Sequence, residues 1–219
     1  ALKIGRHTQK SGTITGDDLM KRFILVAGVT AVALVAMALP VAAADHDGYS
    51  HSYEGDYYCT GVVVDTWISG DVYVEYDERC VLKHVAVSGN VLVDHGKLKV
   101  KNSYVYGNVE ADYAKQLRVI DSVVKGNVVA AYTKTFYKDG VEKPSAVKDS
   151  KVKGNIRLEH NMAKVAVKAN TAKGNVEMYD NYGQIRVIAN YVAGNIDCEG
   201  NLYPPRLRDN TFSGNVYCP

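Results

Sequence analysis

The chain has 219 residues, 47% hydrophobic and 23% charged, with a formal net charge of +2. Both fractions are ordinary for a globular protein, and the length suffices for one domain with a substantial core. Five of the 26 basic and two of the 24 acidic residues precede position 45, so residues 45–219 carry 21 basic and 22 acidic groups. That near-neutral body excludes any general argument for nucleic acid or an anionic membrane as partner.

Residues 1–19 begin with Ala and carry no foldable pattern; they read as upstream of a natural start at Met20. Met20-Lys21-Arg22 then precedes an apolar run from Phe23 to Leu39, a break at Pro40, and Ala42-Ala43-Ala44. A charged start, an apolar stretch and a small-residue site make an export signal over residues 20–44, cut between Ala44 and Asp45. No Cys directly follows the cut, which argues against a lipid anchor, and no hydrophobic tail follows Cys218, so the expected product is secreted, with no stable membrane span after cleavage. The segment 45–56, with its "DHDGYSHSYEGD", is rich in His, Asp and Tyr at spacings that match no metal site, and is expected to be flexible.

From residue 57 one phrase recurs. Gly stands at 89, 107, 126, 154, 174, 194 and 214, each time followed by Asn, with Gly70 as an eighth copy followed by Asp. The steps are 19, 18, 19, 28, 20, 20 and 20 residues, the mark of a solenoid. Two and four places after each Gly stand apolar residues, such as Val109 and Ala111 or Ile196 and Cys198. Two, seven and nine places before it stand others, such as Val105, Val100 and Leu98. Alternation with period two around each pair predicts three short strands per period, separated by turns.

Three strands in about 20 residues predict an all-β fold: a single-stranded right-handed parallel β-helix of about 7–8 coils over residues 57–219. Successive coils would stack about 4.8 Å apart with five apolar columns inside. Gly is expected at the turn because it tolerates positive φ and close backbone approach. Asn90, Asn108, Asn127, Asn155, Asn175, Asn195 and Asn215 would stack into a ladder of side-chain amides. A second polar column stands four before Gly: Ser103, Ser122, Ser150, Asn170, Asn190 and Asn210. Apolar positions at 98, 100, 105, 109, 111, 117 and 119 do not keep the beat of six that a left-handed β-helix needs.

The 28-residue step holds an insertion at about 131–146, "AYTKTFYKDGVEKPSA", whose Asp139-Gly140 between alternating residues predicts a β-hairpin on a type I′ turn. The four cysteines fit the stack. Cys198 and Cys218 share one inward column a coil apart, and Cys59 and Cys80 are 21 residues apart, so two disulfides, Cys59–Cys80 and Cys198–Cys218, are expected to staple the two ends.

Coil length, inward columns and the Asn ladder together resemble the right-handed parallel β-helix proteins, the class that includes pectate lyases and pectin-type hydrolases. The resemblance covers roughly residues 57–219 and implies the architecture. The activity of those enzymes does not carry over, because the long loops and clustered Asp and Arg of their clefts have no counterpart. Bactofilin-type filament proteins have similarly terse repeats.

Three outward features remain as candidate sites. Lys125, Lys153 and Lys173 form one basic column; Lys99, Arg118, Arg186 and Arg206 form another, extended by Lys101, Lys148, Lys168 and Arg208. The first column, with Tyr137 on the insertion, is the expected ligand-binding set, and an acidic polysaccharide or a second copy of the chain is the expected partner. Asp94-His95, Asp112-Tyr113 and Glu159-His160 share a phase and offer the carboxylates for acid–base work, although solvated turns are commonly acidic. No catalytic residue, metal site or cofactor is expected. The sequence therefore points to a secreted, non-enzymatic structural or surface-binding β-helix of the cell envelope or extracellular matrix. Carbohydrate binding or cleavage is the alternative, and end-to-end filament formation a second one.

Overall fold

The computed structural model describes residues 48–218; the segments 1–19 and 20–44 and the start of 45–56 lie outside the described residues. Three parallel sheets wind into a β-solenoid of about eight coils, consistent with a right-handed parallel β-helix. Sheet A has nine strands, from His51–Tyr53 to Thr211–Phe212; sheet B has nine, from Tyr57–Tyr58 to Val216–Tyr217; sheet C has eight, from Gly61–Val64 to Arg206–Arg208. No helix among the described residues is long and apolar enough to cross a membrane.

Each residue sits over its counterpart one coil away. Val109, Val128, Ile156, Val176, Ile196 and Val216 follow one another in register through sheet B. Such columns are buried inside the coil, and those residues up to Ile196 are fully inaccessible. Burying each Val or Ile contributes roughly 1.5–3 kcal/mol, which only accrues when a neighbouring coil covers it.

The glycine of the repeat is needed for a different reason than expected. The glycines at 89, 107, 126, 154, 174, 194 and 214 do not have positive φ. Instead, a Cβ on Gly107 would lie 2.5 Å from Asn90 Oδ1 and 2.5 Å from Gly89 O. The previous coil's ladder side chain occupies the place where a side chain would go. The ladder itself runs from side chain to backbone: Asn108 N–H donates to Asn90 Oδ1 (2.9 Å), Asn127 N–H to Asn108 Oδ1 (2.8 Å), and so on to Asn215 N–H and Asn195 Oδ1 (2.9 Å).

Positive φ falls at two other corners. Between sheets C and A stand Asp65, His84, Asn102, Asp121, Asp149, Ala169, Ala189 and Asp209; between sheets B and C stand His95, Tyr113, Tyr132, His160, Asp180 and Gly200. Asp and Asn suit this conformation. Bulky Tyr does not, yet the second corner stacks its rings: His95–Tyr113 at 5.1 Å, Tyr113–Tyr132 at 4.8 Å and Tyr132–His160 at 4.7 Å between centroids. Aromatic pairs contribute about 0.5–1.5 kcal/mol beyond their burial, comparable to the ~1–3 kcal/mol cost of a strained residue.

Two internal polar ladders close the remaining backbone donors. Ser103, Ser122, Ser150 and Asn170 accept from the backbone of the preceding coil, as in Ser150 N–H to Asn170 Oδ1 (3.0 Å). Thr133, Asn161, Asn181 and Asn201 form another: Asn161 N–H donates to Asn181 Oδ1 (3.0 Å), and Asn161 Nδ2 to Ala130 O (2.9 Å).

The stack starts earlier than the sequence pattern indicates. His51–Tyr53, within the expected flexible segment, pairs with Thr66–Ile68, and Asp71 N–H donates to Asp56 Oδ1 (2.9 Å). Gly55-Asp56 is therefore a first copy of the repeat, masked by a shortened step of 15 residues to Gly70 and by Asp in the ladder position. Cys59–Cys80 and Cys198–Cys218 are bonded, with Cα separations of 5.5 and 4.6 Å. The second pair stacks in one column; the first joins the end of the first sheet B strand to the sheet C strand Arg79–Lys83, one coil on. Two disulfides and no membrane-spanning helix among the described residues are compatible with an extracellular setting.

Candidate functional site

Sheet C strands alternate apolar-in and polar-out, so their outward residues form rows along the molecule. The register gives three: Arg79, Lys97 and Gln116; Val81, Lys99, Arg118, Ala146, Ala166, Arg186 and Arg206; and Lys83, Lys101, Ile120, Lys148, Lys168, Ile188 and Arg208. Like charges on adjacent strands repel. Among the described residues, only Lys148 and Arg208 of these rows form ion pairs, each with the aspartate next to it in sequence.

The insertion changes this face. Tyr137–Lys138 and Val141–Glu142 pair antiparallel around Asp139 (φ 54°) and Gly140 (φ 70°), the type I′ turn expected from the sequence. The hairpin leaves the B–C corner and is tied down on both sides. Lys97 Nζ lies 4.0 Å from the centre of the Phe136 ring, and Gln116 Nε2 donates to Lys143 O (3.1 Å). On the other side Lys164 Nζ pairs with Glu142 (2.7 Å), and Lys164 N–H donates to the same carboxylate (3.2 Å). Hydrogen bonding from Lys164 holds the Glu142 carboxyl below the usual glutamate range.

Between the hairpin and sheet C lies a cleft of about 440 Å³. Six cations line it: Arg79, Lys97 and Lys99 with Arg118 from sheet C, and Lys138 and Lys143 from the hairpin; no carboxylate does. None of the six makes an ion pair among the described residues. The nearby Asp77 is paired with Lys115, whose hydrogen bond, more than the field of Lys97, keeps Asp77 below its usual range. The Nε of Arg118 is buried without a hydrogen-bond partner. A concave cationic wall of this kind can hold an anion.

The sequence-level candidates distribute differently. Lys125, Lys153 and Lys173 do stack, but past the end of sheet A, where Lys125 lies over the Tyr106 ring at 4.6 Å. Tyr137 projects to the far side of the hairpin, among Glu142, Met162, Lys164, Tyr182 and Tyr203. Tyr137 therefore does not converge with the three stacked lysines. Asp94 and Asp112 are in register on the sheet B edge, both exposed, with His95 Nδ1 2.5 Å from Asp94. No group of three or more His, Cys, Asp or Glu residues placed to hold a metal ion occurs among the described residues. Arg79, Lys97, Phe136, Lys138 and Lys143 escaped the sequence reading. The one available signal was period-two spacing, with Lys97 two before Lys99 and Phe136 two before Lys138.

Compared with protein-family models, with the curated proteins and with the solved structures, the chain gives no match.

Proposed function

We propose that this is a secreted, non-enzymatic β-helix of the cell envelope or extracellular matrix that holds an acidic polysaccharide along sheet C. The observation that carries this reading is the set of in-register cations on that face, Lys83, Lys97, Lys99, Lys101 and Arg118 among them, that have no carboxylate partner among the described residues. A linear polyanion neutralises all of them at once and releases its own counterions, a gain that falls as salt rises. The coil spacing of about 4.8 Å is close to the length of one sugar, so a chain laid along the solenoid axis offers each coil a similar group. The export signal and the two disulfides support an oxidising, extracellular setting.

Retention of the purified protein on immobilised polygalacturonate, compared with neutral dextran, tests this. We expect retention on the acidic polymer alone, with affinity falling at least about tenfold between 50 and 200 mM salt. Equal retention on dextran, or none on either polymer, overturns the binding claim; unsaturated sugar products absorbing in the ultraviolet overturn the non-enzymatic one.

A further inference from the structure

We propose that the cleft under the hairpin is a carboxylate subsite that seats one uronate residue of the glycan; this rests on the polysaccharide reading above. Sheet C alone is a flat, solvated face that would hold any polyanion. The hairpin makes part of it concave, and adds Lys138 and Lys143 opposite the strand cations Arg79, Lys97, Lys99 and Arg118.

Three features specify the occupant. First, the charge inside is uncompensated by design of the surroundings: the hairpin's Glu142 is turned to Lys164 outside the cleft, and Asp77 is held by Lys115. Second, Arg118 lines the cleft with no hydrogen bond or ion pair among the described residues: its Nε is shut off from water without an acceptor, and the terminal nitrogens of the guanidinium are left for an occupant. A guanidinium edge is a planar double donor that matches a carboxylate, whereas an ammonium is a point charge. Third, the residue in register beside Arg118 on the next coil is Ala146, which leaves the guanidinium uncrowded on that side. The volume exceeds that of a bare carboxylate, and Val81, Leu98 and Phe136 supply apolar wall for the C–H face of a sugar ring.

The latches make the pocket a fixed one. Phe136 is held by Lys97 and the hairpin base by Gln116, so a ligand meets a preformed wall and orders little on binding. Positions 118 and 136 therefore set specificity, while the open rows beyond the hairpin set affinity for long chains.

Calorimetric titration of the full chain with trigalacturonate, its methyl ester and a sulfated disaccharide tests the assignment, with Arg118→Lys, Phe136→Ala and Lys173→Ala as variants. We expect trigalacturonate to bind the unaltered protein at least about tenfold more tightly than either other ligand, because only it presents planar carboxylates to the fork. Arg118→Lys keeps the charge and removes the fork, so it should lose about tenfold for trigalacturonate and less than about threefold for polygalacturonate. Lys173→Ala, at the end of sheet A, should bind trigalacturonate unchanged. The proposal is overturned if the polymer binds but trigalacturonate does not, if the ester or sulfate binds equally, or if Arg118→Lys binds trigalacturonate as the parent does. Failure of polymer and trimer alike instead removes the functional reading beneath it. The ligand comparison on the unaltered protein stands even if a variant fails to fold.

Discussion

At Gly107 a single missing Cβ is what lets two coils close. Asn90 Oδ1 and Gly89 O lie where that Cβ would be, each at 2.5 Å. Both belong to the preceding coil and one accepts the Asn108 N–H, so neither can retreat without breaking the ladder. Gly107→Ala should therefore destabilise the protein by about 2–3 kcal/mol, as overpacking does, read as a lower denaturant midpoint at constant slope. Ala189→Gly, at an exposed positive-φ corner, should cost nothing or raise the midpoint. A reversed order of these two variants would contradict the account. The repeated glycine was plain in the sequence; its reason was not, because conformational freedom and close approach select the same residue. The Thr133, Asn161, Asn181 and Asn201 ladder went unseen because its earlier coils carry Gly96 and Ala114 in that column.

The hairpin depends on a small number of contacts rather than on a buried core. Tyr137, Lys138 and Val141 are all exposed. Its outer anchor is Glu142, whose carboxyl sits below the ordinary value of 4.5 through hydrogen bonding from Lys164. A depressed folded value means the anchor contributes fully above that ordinary value and is lost as pH falls through the depressed one. Exchange of the amides at Tyr137–Glu142 should thus accelerate in acid, by up to about fivefold for an anchor of ~1 kcal/mol, beyond the intrinsic pH effect seen in sheet C. Glu142→Gln should abolish the extra acceleration; its persistence would place the anchor elsewhere. The turn type was legible from Asp139-Gly140 alone, since few residues accept two successive positive φ values. What the hairpin covers was not legible, because its partners Lys97 and Gln116 lie in coils far earlier in the chain.

For the molecule as a whole, the sequence pattern determines the cross-section because each coil repeats the one below. Apolar columns, sheet number, coil count and both disulfides follow from spacing, as when Cys198 falls over Cys218. Departures occur where the period is broken: at Gly55, where the step shortens, and at 131–146, where it lengthens. The second break is also where the surface stops being uniform. Repetition yields rows, and rows bind polymers; a pocket requires an interruption, and the described coils have one sizeable interruption, placed over the basic face. Backbone amide shifts of the isotopically labelled protein, titrated with trigalacturonate, test this most directly. The account predicts changes concentrated at residues 79, 97, 99, 116–118 and 136–143. Changes centred on Lys125, Lys153 and Lys173, or on the acidic edge at Asp94 and Asp112, would contradict it.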